Sequence, residues 1–264
     1  MDGRVHPPCV IGHEMSGRIA QVGSGLLDWR PGDHVTVMPP VPCRTCPACR
    51  AGHTHICHRL VFLGIDAAGS MQNSWTVPAA ALVRLPQDLA LDQAALVEPT
   101  AVAVHDVRRA ELRPGEKTIV VGGGPIGLLI AIVARRSGAD VLLVEPEPYR
   151  RSVAEGLGLP VTDPSEAGRA EIVERWTGGA GAAVAFEVSG AAAAVATAVD
   201  SLAIRGRMVQ VAIHRARPRM PGAERRLRRP HGRRRPGGPA RGTRSSTGHQ
   251  VPALSGRRPG RRGR

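Results

Sequence analysis

The stretch KTIVVGGGPIGLLIAIVARRSGADVLLVEP, residues 117–146, constrains the fold of this chain more than any other segment. A buried-strand pattern is followed by a glycine cluster, by an apolar helical pattern that ends before Gly138, and by a second buried-strand pattern. Further helix and strand patterns alternate in 149–158, 180–190, 191–202 and 206–213. Such alternation predicts an α/β fold with a parallel, doubly wound sheet.

The glycine cluster has the spacing of a phosphate-binding turn. Gly122, Gly124 and Gly127 form a G-x-G-x-x-G motif between a strand and a helix, which is the context that this motif requires. Gly122 permits the tight turn, Gly124 lets the backbone approach a pyrophosphate, and Gly127 allows close packing of helix and strand. Pro125 and Ile126 begin the helix, whose N-terminus offers free N–H groups to phosphate. The motif therefore predicts a dinucleotide-binding domain.

Two further side chains bear on the choice of dinucleotide. Glu145 ends the second strand, 18 residues past Gly127, and can accept hydrogen bonds from the adenosine ribose hydroxyls. Its charge would repel a 2′-phosphate, which favours NAD over NADP. Arg150 and Arg151 follow closely and weaken this preference if they bind phosphate, although surface arginines of a helix are the alternative interpretation. We predict NAD as the cofactor.

The region before the glycine motif has a different character. Short apolar runs separated by Gly, Pro and Asp predict a β-rich domain over residues 1–107. Four of the five cysteines lie in this region with the spacing C-x2-C-x2-C-x7-C, at Cys43, Cys46, Cys49 and Cys57. The first ten residues contain no apolar run typical of an export signal, so we expect reduced thiols and a cytoplasmic location.

A metal ion is the predicted partner of these thiols. Four thiolates hold Zn²⁺ tetrahedrally, with two-residue gaps wrapping one ion and a longer gap returning the fourth sulfur. Such a site is closed, so neither water nor substrate reaches the metal. The alternatives are an iron–sulfur cluster, four unrelated reduced cysteines, or ligation by the nearby His53, His55 or His58.

These motifs together resemble those of the zinc-containing medium-chain alcohol and polyol dehydrogenases. The cysteine loop, VIGHEMSGRIAQVGSG upstream and VVGGGPIG downstream occur in the order of that family, and the resemblance runs from about residue 10 to about residue 213. It implies a partial GroES-like catalytic domain over residues 1–107 and a partial Rossmann domain over residues 108–213. It also implies that the cysteine loop carries a structural zinc.

The resemblance further implies a catalytic zinc site. His13, in Gly-His-Glu, is similar to a zinc ligand of the family, and Glu14 is similar to a neighbour that orients the ligands or replaces one of them. Glu98, followed by Pro99, stands where the sorbitol and butanediol dehydrogenase-like branch has a glutamate and the ethanol-type branch has a cysteine. A glutamate in the first turn of a helix is also favoured by the helix dipole, so that interpretation stays open.

One ligand of the family pattern has no counterpart here. The family's first zinc cysteine lies a few dozen residues before Gly-His-Glu, whereas this chain starts twelve residues before His13. Cys9 occupies what is usually an apolar strand position and is not assigned as a ligand. We therefore expect truncation at the N-terminus and an incomplete catalytic zinc site.

Residues 214–264 differ from the rest of the chain in charge. Seventeen of the 36 basic residues and one of the 22 acidic residues lie there, so this segment carries a formal charge of +16 and the remainder carries −2. The segment is rich in Arg, Pro and Gly, without strand or helix periodicity, which predicts a disordered basic tail. Either the tail is genuine, or a G/C-rich message is translated out of frame after about residue 213, which we favour.

The features together predict a zinc-dependent oxidoreductase that transfers hydride from a secondary alcohol, diol or polyol to NAD. A second hypothesis is a non-catalytic remnant that binds zinc and NAD. A third is nucleic-acid binding through the tail, which is disfavoured because the rest of the chain has no basic stripe. We expect a small alcohol or polyol substrate, no membrane segment, and a homodimer or homotetramer, as the family suggests.

Overall fold

The N-terminal part of the chain is built from short strands and turns. The computed structural model describes residues 7–164 and 169–214. The first five strands are β1 (Gly17–Arg18), β2 (His34–Val37), β3 (Pro40–Val41), β4 (Val61–Phe62) and β5 (Leu82–Arg84). β1, β2 and β5 form an antiparallel sheet in that order, and β3 pairs with β4. The helical pieces are α1 (Pro47–Arg50), α2 (Leu91–Ala94) and the 3-10 turns Thr54–Ile56 and Ala79–Ala81.

These strands enclose a small core of their own. All four residues of β2 are buried, and Val37 packs with Leu63 and Ala81. Met15 and Trp75 cover this cluster from the side. The prediction of a β-rich domain before the glycine motif is therefore confirmed.

The helix α3 (Val97–Arg109) connects the two parts of the chain. Pro99 lies in its first turn, where the missing N–H of proline costs nothing. Ala103 and Val107 are buried against Ile130 in the core of the following domain. The helix runs across the predicted boundary between residues 107 and 108, and that boundary stays a prediction.

The second part alternates strands and helices. It contains β6 (Lys117–Val121), α4 (Pro125–Arg136), β7 (Asp140–Val144), α5 (Pro148–Gly156), β8 (Val161–Thr162), α6 (Arg169–Thr177), β9 (Ala182–Glu187), α7 (Ala192–Asp200) and β10 (Leu202–Gln210). The strands form one parallel sheet in the order β10-β9-β6-β7-β8, so the predicted doubly wound sheet is confirmed. β8 and α6 were not predicted, because β8 has two residues and α6 has a weak apolar pattern.

Alternate residues of the central strands pack into two separate hydrophobic cores, because neighbouring side chains of a strand point to opposite faces of the sheet. Val120 and Phe186 pack on one face with Ile130 of α4. Ile119 and Ala185 pack on the other face with residues of α6 and α7. Both faces of the sheet are thus covered by helices, as a parallel sheet requires.

The strand order reverses between β6 and β9. Ligands of doubly wound sheets bind in the crevice at such a reversal, beyond the carboxyl ends of the strands. Across residues 7–164 and 169–214, none of the helices combines the length and hydropathy needed to span a bilayer. Apart from its first residue, His214, the predicted tail 214–264 lies outside the described residues.

Candidate functional site

The cysteine loop gathers four sulfur atoms into one cluster. The Sγ atoms of Cys43, Cys46, Cys49 and Cys57 all lie within 4.8 Å of one another. Cys46 and Cys57 are 3.9 Å apart, and a tetrahedral zinc with Zn–S bonds of about 2.3 Å places its sulfurs about 3.8 Å apart. His53, His55 and His58 are exposed and do not belong to this group in the described part of the chain. The geometry therefore fits one tetrahedral ion held by four thiolates.

Hydrogen-bond donors surround the sulfurs. The backbone N–H groups of Cys43 and Arg59 both donate to Cys57 Sγ, at 3.2 and 3.3 Å. The guanidinium of Arg59 reaches Cys43 Sγ at 3.5 Å and also donates to Thr45 Oγ1 at 2.5 Å. Since four thiolates around Zn²⁺ leave a net charge of −2, the Arg59 cation offsets part of the excess.

The four thiols have unequal acidity. Hydrogen bonds from the backbone N–H and then the hydroxyl of Thr45, together with Arg59, lower the pKa of Cys43 to about 5. Burial raises the pKa of Cys49 to about 12, and the neighbouring sulfurs add to this effect. Cys43 is therefore ready to bind a cation as a thiolate, whereas Cys49 needs the cation itself to stabilise its charge.

The second cluster joins two distant segments of the chain. His13 follows the segment 10–12, which is bound by backbone hydrogen bonds from the N–H groups of Gly69, Ser70 and Met71. The ring of His13 packs edge-on against Phe62, with centroids 4.9 Å apart. The hydroxyl of Ser16 donates to the carbonyl of Leu91, which ties this segment to the region that leads into α3.

Ligand atoms of His13, Glu14 and Glu98 converge at this junction. The three atoms lie within 4.8 Å of one another, with Glu98 supplied by the first turn of α3. Burial, and then the charge of Glu14, raise the pKa of Glu98. Two neighbouring carboxylates disfavour each other's ionisation, and a bound cation would remove this repulsion. One nitrogen and two oxygens form a ligand set that suits Zn²⁺. Cys9 is exposed and belongs to neither cluster of the described residues.

The glycine motif forms an open cradle at the carboxyl edge of the sheet. Gly122 has φ +114°, a conformation that favours glycine, and its N–H donates to the carbonyl of Val144. A Cβ on Gly127 would lie 1.9 Å from the carbonyl oxygen of Gly122, so α4 packs on the turn only with glycine there. Above Gly124 the nearest atom is Nη1 of Arg150, 4.0 Å from the position of a Cβ. This open side fits a pyrophosphate.

The other residues of the predicted dinucleotide site surround this turn. Pro125 begins α4, and Ile126 is partly buried against the core. Glu145 is 2% exposed, and its carboxylate accepts the N–H groups of Gly123 at 2.6 Å and Glu147 at 2.8 Å. Arg151 is paired with Asp163 at 3.0 Å, whereas Arg150 is exposed beside the turn.

Several residues that the sequence did not single out complete these sites. Gly64 and Gly69 have no room for a side chain, because a Cβ on either would lie 2.3 or 2.4 Å from the carbonyl oxygen of Gly12. Arg59 contacts the cysteine cluster, and Glu187 and His214 form a buried pair at the carboxyl edge of the sheet. The two glycines in 64–69 are the one sequence signal that could have pointed to these residues. Arg59, Glu187 and His214 become recognisable only through their tertiary contacts.

Two family models match this chain. The model described as "Alcohol dehydrogenase GroES-like domain" matches residues 1–87, and the model described as "Zinc-binding dehydrogenase" matches residues 125–228. The first match includes both clusters except Glu98, and the second begins at Pro125. The second match also extends beyond residue 213, where the sequence suggested a change of frame.

Individual proteins are similar over most of the described chain. A 2-dehydro-3-deoxy-L-galactonate 5-dehydrogenase of Pseudoalteromonas atlantica is 49% identical over 218 residues, which is 83% of this chain and 64% of that protein. The chain thus spans less than two thirds of this relative. The solved 2R,3R-butanediol dehydrogenase of Bacillus subtilis is 34% identical with a TM-score of 0.73, covering 81% of this chain and 61% of that one.

A second similar structure contains a dinucleotide. It is described as a "putative zinc-binding dehydrogenase" from Sinorhizobium meliloti 1021 bound to NADP, with 29% identity and a TM-score of 0.79. The match covers 86% of this chain and 67% of that one. The GroES-like and Rossmann architecture expected from the sequence is confirmed by these matches together with the sheet order.

Proposed function

Since this chain belongs to the zinc-binding alcohol dehydrogenase family with a GroES-like domain, we propose that it oxidises a secondary alcohol of a polyol or sugar acid and delivers the hydride to NAD. The observation that carries this proposal is the convergence of His13, Glu14 and Glu98 into one group of potential ligands. Glutamate rather than cysteine at position 98 supports the polyol and diol branch that the sequence suggested.

His13, Glu14 and Glu98 are the residues proposed to hold the catalytic zinc. A bound Zn²⁺ supplies Lewis acidity, which lowers the pKa of an alcohol that it coordinates. In this proposal Glu14 takes the place of the cysteine ligand that has no counterpart here, so three protein ligands leave a position open for the substrate hydroxyl, in contrast to the closed cysteine site. Glu98 is half-buried and close to Glu14, so the pair gives the site the negative charge that retains a dication.

Cys43, Cys46, Cys49 and Cys57 are proposed to hold a structural zinc. The Sγ–Sγ separations, the hydrogen bonds to the sulfurs and the contact with Arg59 support this assignment. With all four positions taken by thiolates, the ion would stabilise the loop without contacting substrate.

Gly122, Gly124, Gly127 and the N-terminus of α4 are proposed to bind the pyrophosphate of NAD. A bound nicotinamide supplies the hydride acceptor. The buried carboxylate of Glu145 supports NAD over NADP, because a 2′-phosphate beside it would meet a negative charge. Arg151 is engaged with Asp163, so Arg150 remains the cation whose exposed position would favour NADP.

A sugar acid is the substrate class we favour within the polyols. The support is the 49% identity with the 2-dehydro-3-deoxy-L-galactonate 5-dehydrogenase, whose named substrate combines a carboxylate with several hydroxyls. The homodimer or homotetramer expected from the family, and the cytoplasmic location, stay predictions.

The full chain, purified with zinc, tests the proposal directly. We expect NADH to form with L-galactonate derivatives and more slowly with sorbitol or 2,3-butanediol, and NADP to be reduced more slowly than NAD. Glu98→Gln should lower kcat/KM by about a hundredfold or more, since it removes an anionic ligand. The exposed Glu155→Gln on α5 is the matched control and should leave kcat/KM unchanged.

Two outcomes would count against this function. If neither nucleotide is reduced with any of these alcohols although zinc and NADH bind, the chain is a non-catalytic zinc- and NAD-binding protein. If NADP is reduced faster than NAD, Arg150 rather than Glu145 determines the nucleotide preference.

A further inference from the structure

A carboxylate is buried where three loops meet at the carboxyl edge of the parallel sheet. Glu187 is the last residue of β9 and is 0% exposed. β9 lies between β6 and β10, beside the reversal in strand order. The roles proposed above for zinc and NAD do not use this residue, although an isolated buried carboxylate is costly.

One oxygen of Glu187 fixes the turn after β9. Oε1 accepts the backbone N–H groups of Ser189 and Gly190, each at 2.9 Å, and the hydroxyl of Ser189 at 3.0 Å. This turn borders the glycine motif, because a Cβ on Gly122 would lie 3.0 Å from the backbone nitrogen of Ser189. Glu187 thus sets the position of one wall of the crevice beside Gly122.

The other oxygen holds the segment after β10. Oε2 lies 2.8 Å from Nε2 of His214, whose side chain is 6% exposed. The backbone N–H groups of Val211 and Ala212 both donate to the carbonyl of Glu187. The pair therefore joins the ends of β9 and β10, although its two residues are 27 positions apart.

The position of this pair relative to Glu145 indicates which half of a dinucleotide it faces. Glu145 lies on the β7 side of the glycine motif, where the adenosine ribose is proposed to bind, whereas Glu187 and His214 lie on the β9 and β10 side. A dinucleotide crosses the crevice between the two halves of such a sheet. The β9 and β10 side therefore faces the nicotinamide half.

We propose that Glu187 and His214 are positioning residues that hold the Ser189–Gly190 turn and the segment 211–214 around the nicotinamide half of bound NAD. This inference rests on the proposed function, and the family match that continues to residue 228 supports a genuine reading frame at His214. A hydrophobic pair of similar volume would often stabilise a buried position at least as well as an ion pair. The polar pair instead fixes the positions of two loops. Small displacements of loops that border a ligand misalign the ligand.

Binding of NADH and of AMP, measured by titration calorimetry with the full chain, separates this role from general stability. AMP contains only the adenosine half, so it does not contact the proposed walls. For Glu187→Gln and His214→Ala we expect the Kd for NADH to rise roughly ten- to a hundredfold, with the Kd for AMP changed less than about twofold. His214→Gln keeps an N–H donor for Glu187 and should restore most of the NADH affinity.

Glu116→Gln is the matched control. Glu116 forms an ion pair across the sheet with Arg207, but it precedes the first residue of β6 and so lies at the opposite edge. We expect this variant to lower Tm to a similar extent without changing either Kd. His214→Ala keeps the test informative if Glu187→Gln fails to fold, because His214 lies outside the sheet, four residues after the end of β10.

The outcomes distinguish the inference from the function on which it rests. If His214→Ala lowers Tm but leaves the Kd for NADH unchanged, the pair only stabilises the fold and the inference is wrong. Equal weakening of NADH and AMP binding would also overturn the inference, since the pair would then stabilise the whole carboxyl edge of the sheet and not the nicotinamide side alone. If the unsubstituted protein binds neither NADH nor NADPH, the proposed function itself fails first.

Discussion

At the scale of single residues, the position of His13 depends on glycines far from it in sequence. Gly64 and Gly69 allow the carbonyl of Gly12 to approach to a distance that any side chain would block. Gly64 also has φ +85°, in the region that side chains rarely adopt. The imidazole therefore sits where it does because two glycines on the facing loop leave room for its backbone.

Gly64→Ala should displace the His13 segment. The clash with Gly12 and the strained φ together should lower the free energy of unfolding by about 2–5 kcal/mol and weaken metal binding by His13. Gly25→Ala is the control, because Gly25 has φ +87° and nothing within 4 Å of an added Cβ. It should cost about 1–2 kcal/mol from backbone strain alone. Urea unfolding of both variants measures the difference, and equal losses would show that the close approach is unimportant.

At the scale of elements, one arginine ties three of them together. Arg207 of β10 forms an ion pair with Glu116, the residue before β6. Its guanidinium also donates to the carbonyls of Ala110 and Glu111, which follow the C-terminus of α3. The hydrogen bond from Arg207 lowers the pKa of Glu116, with smaller effects from the backbone and charge of Arg113. The edge strand β10 is thereby fixed to both the sheet and the helix that leads from Glu98.

This ion pair should make stability depend on pH in the acidic range. Because the folded-state pKa of Glu116 lies below its ordinary value of 4.5, the contribution is complete above that value and is lost as the pH falls through the folded pKa. Glu116→Gln should therefore cost about 1 kcal/mol at neutral pH and progressively less in acid. Urea unfolding at a series of pH values measures this, with Glu155→Gln as the control. A cost that is independent of pH would contradict the assignment.

At the scale of the whole molecule, the described chain contains two separate clusters of potential metal ligands and, apart from both, the glycine turn at the edge of the parallel sheet. The cysteine cluster is closed by four sulfurs and surrounded by N–H donors, whereas the second cluster offers one nitrogen and two carboxylates at the start of α3. α3 then packs against α4, the helix that begins at the glycine motif. One helix thus connects the proposed catalytic ligand Glu98 with the domain proposed to bind NAD.

Chelation should empty the two clusters at different rates. Four thiolates bind Zn²⁺ more tightly than an open site of one nitrogen and two oxygens, so a mild chelator should first remove one ion per chain without unfolding. Removal of the second ion should be slow and should unfold the cysteine loop. Zinc released over time, followed together with circular dichroism, measures both steps. In Cys43→Ser the slow step should become fast, and a single release phase in the unsubstituted chain would refute the difference between the sites.

The sequence by itself determined the features that depend on local spacing. The alternation of strands and helices, the G-x-G-x-x-G turn and the cysteine intervals each lie within one short segment, and chain geometry there leaves few conformations. The short β8 and the weakly patterned α6 were not predicted from the sequence, because tertiary packing stabilises them and their sequences show little periodicity. His13 and Glu98 were proposed as partners only through resemblance, since spacing alone does not link residues 85 positions apart.

The tertiary structure decided which distant residues meet. Glu14 joins His13 and Glu98, Arg59 reaches Cys43, and His214 reaches Glu187 only after the loops have packed. Such contacts follow no sequence period, because each is fixed by the summed packing of whole elements and not by the conformation of its own neighbours.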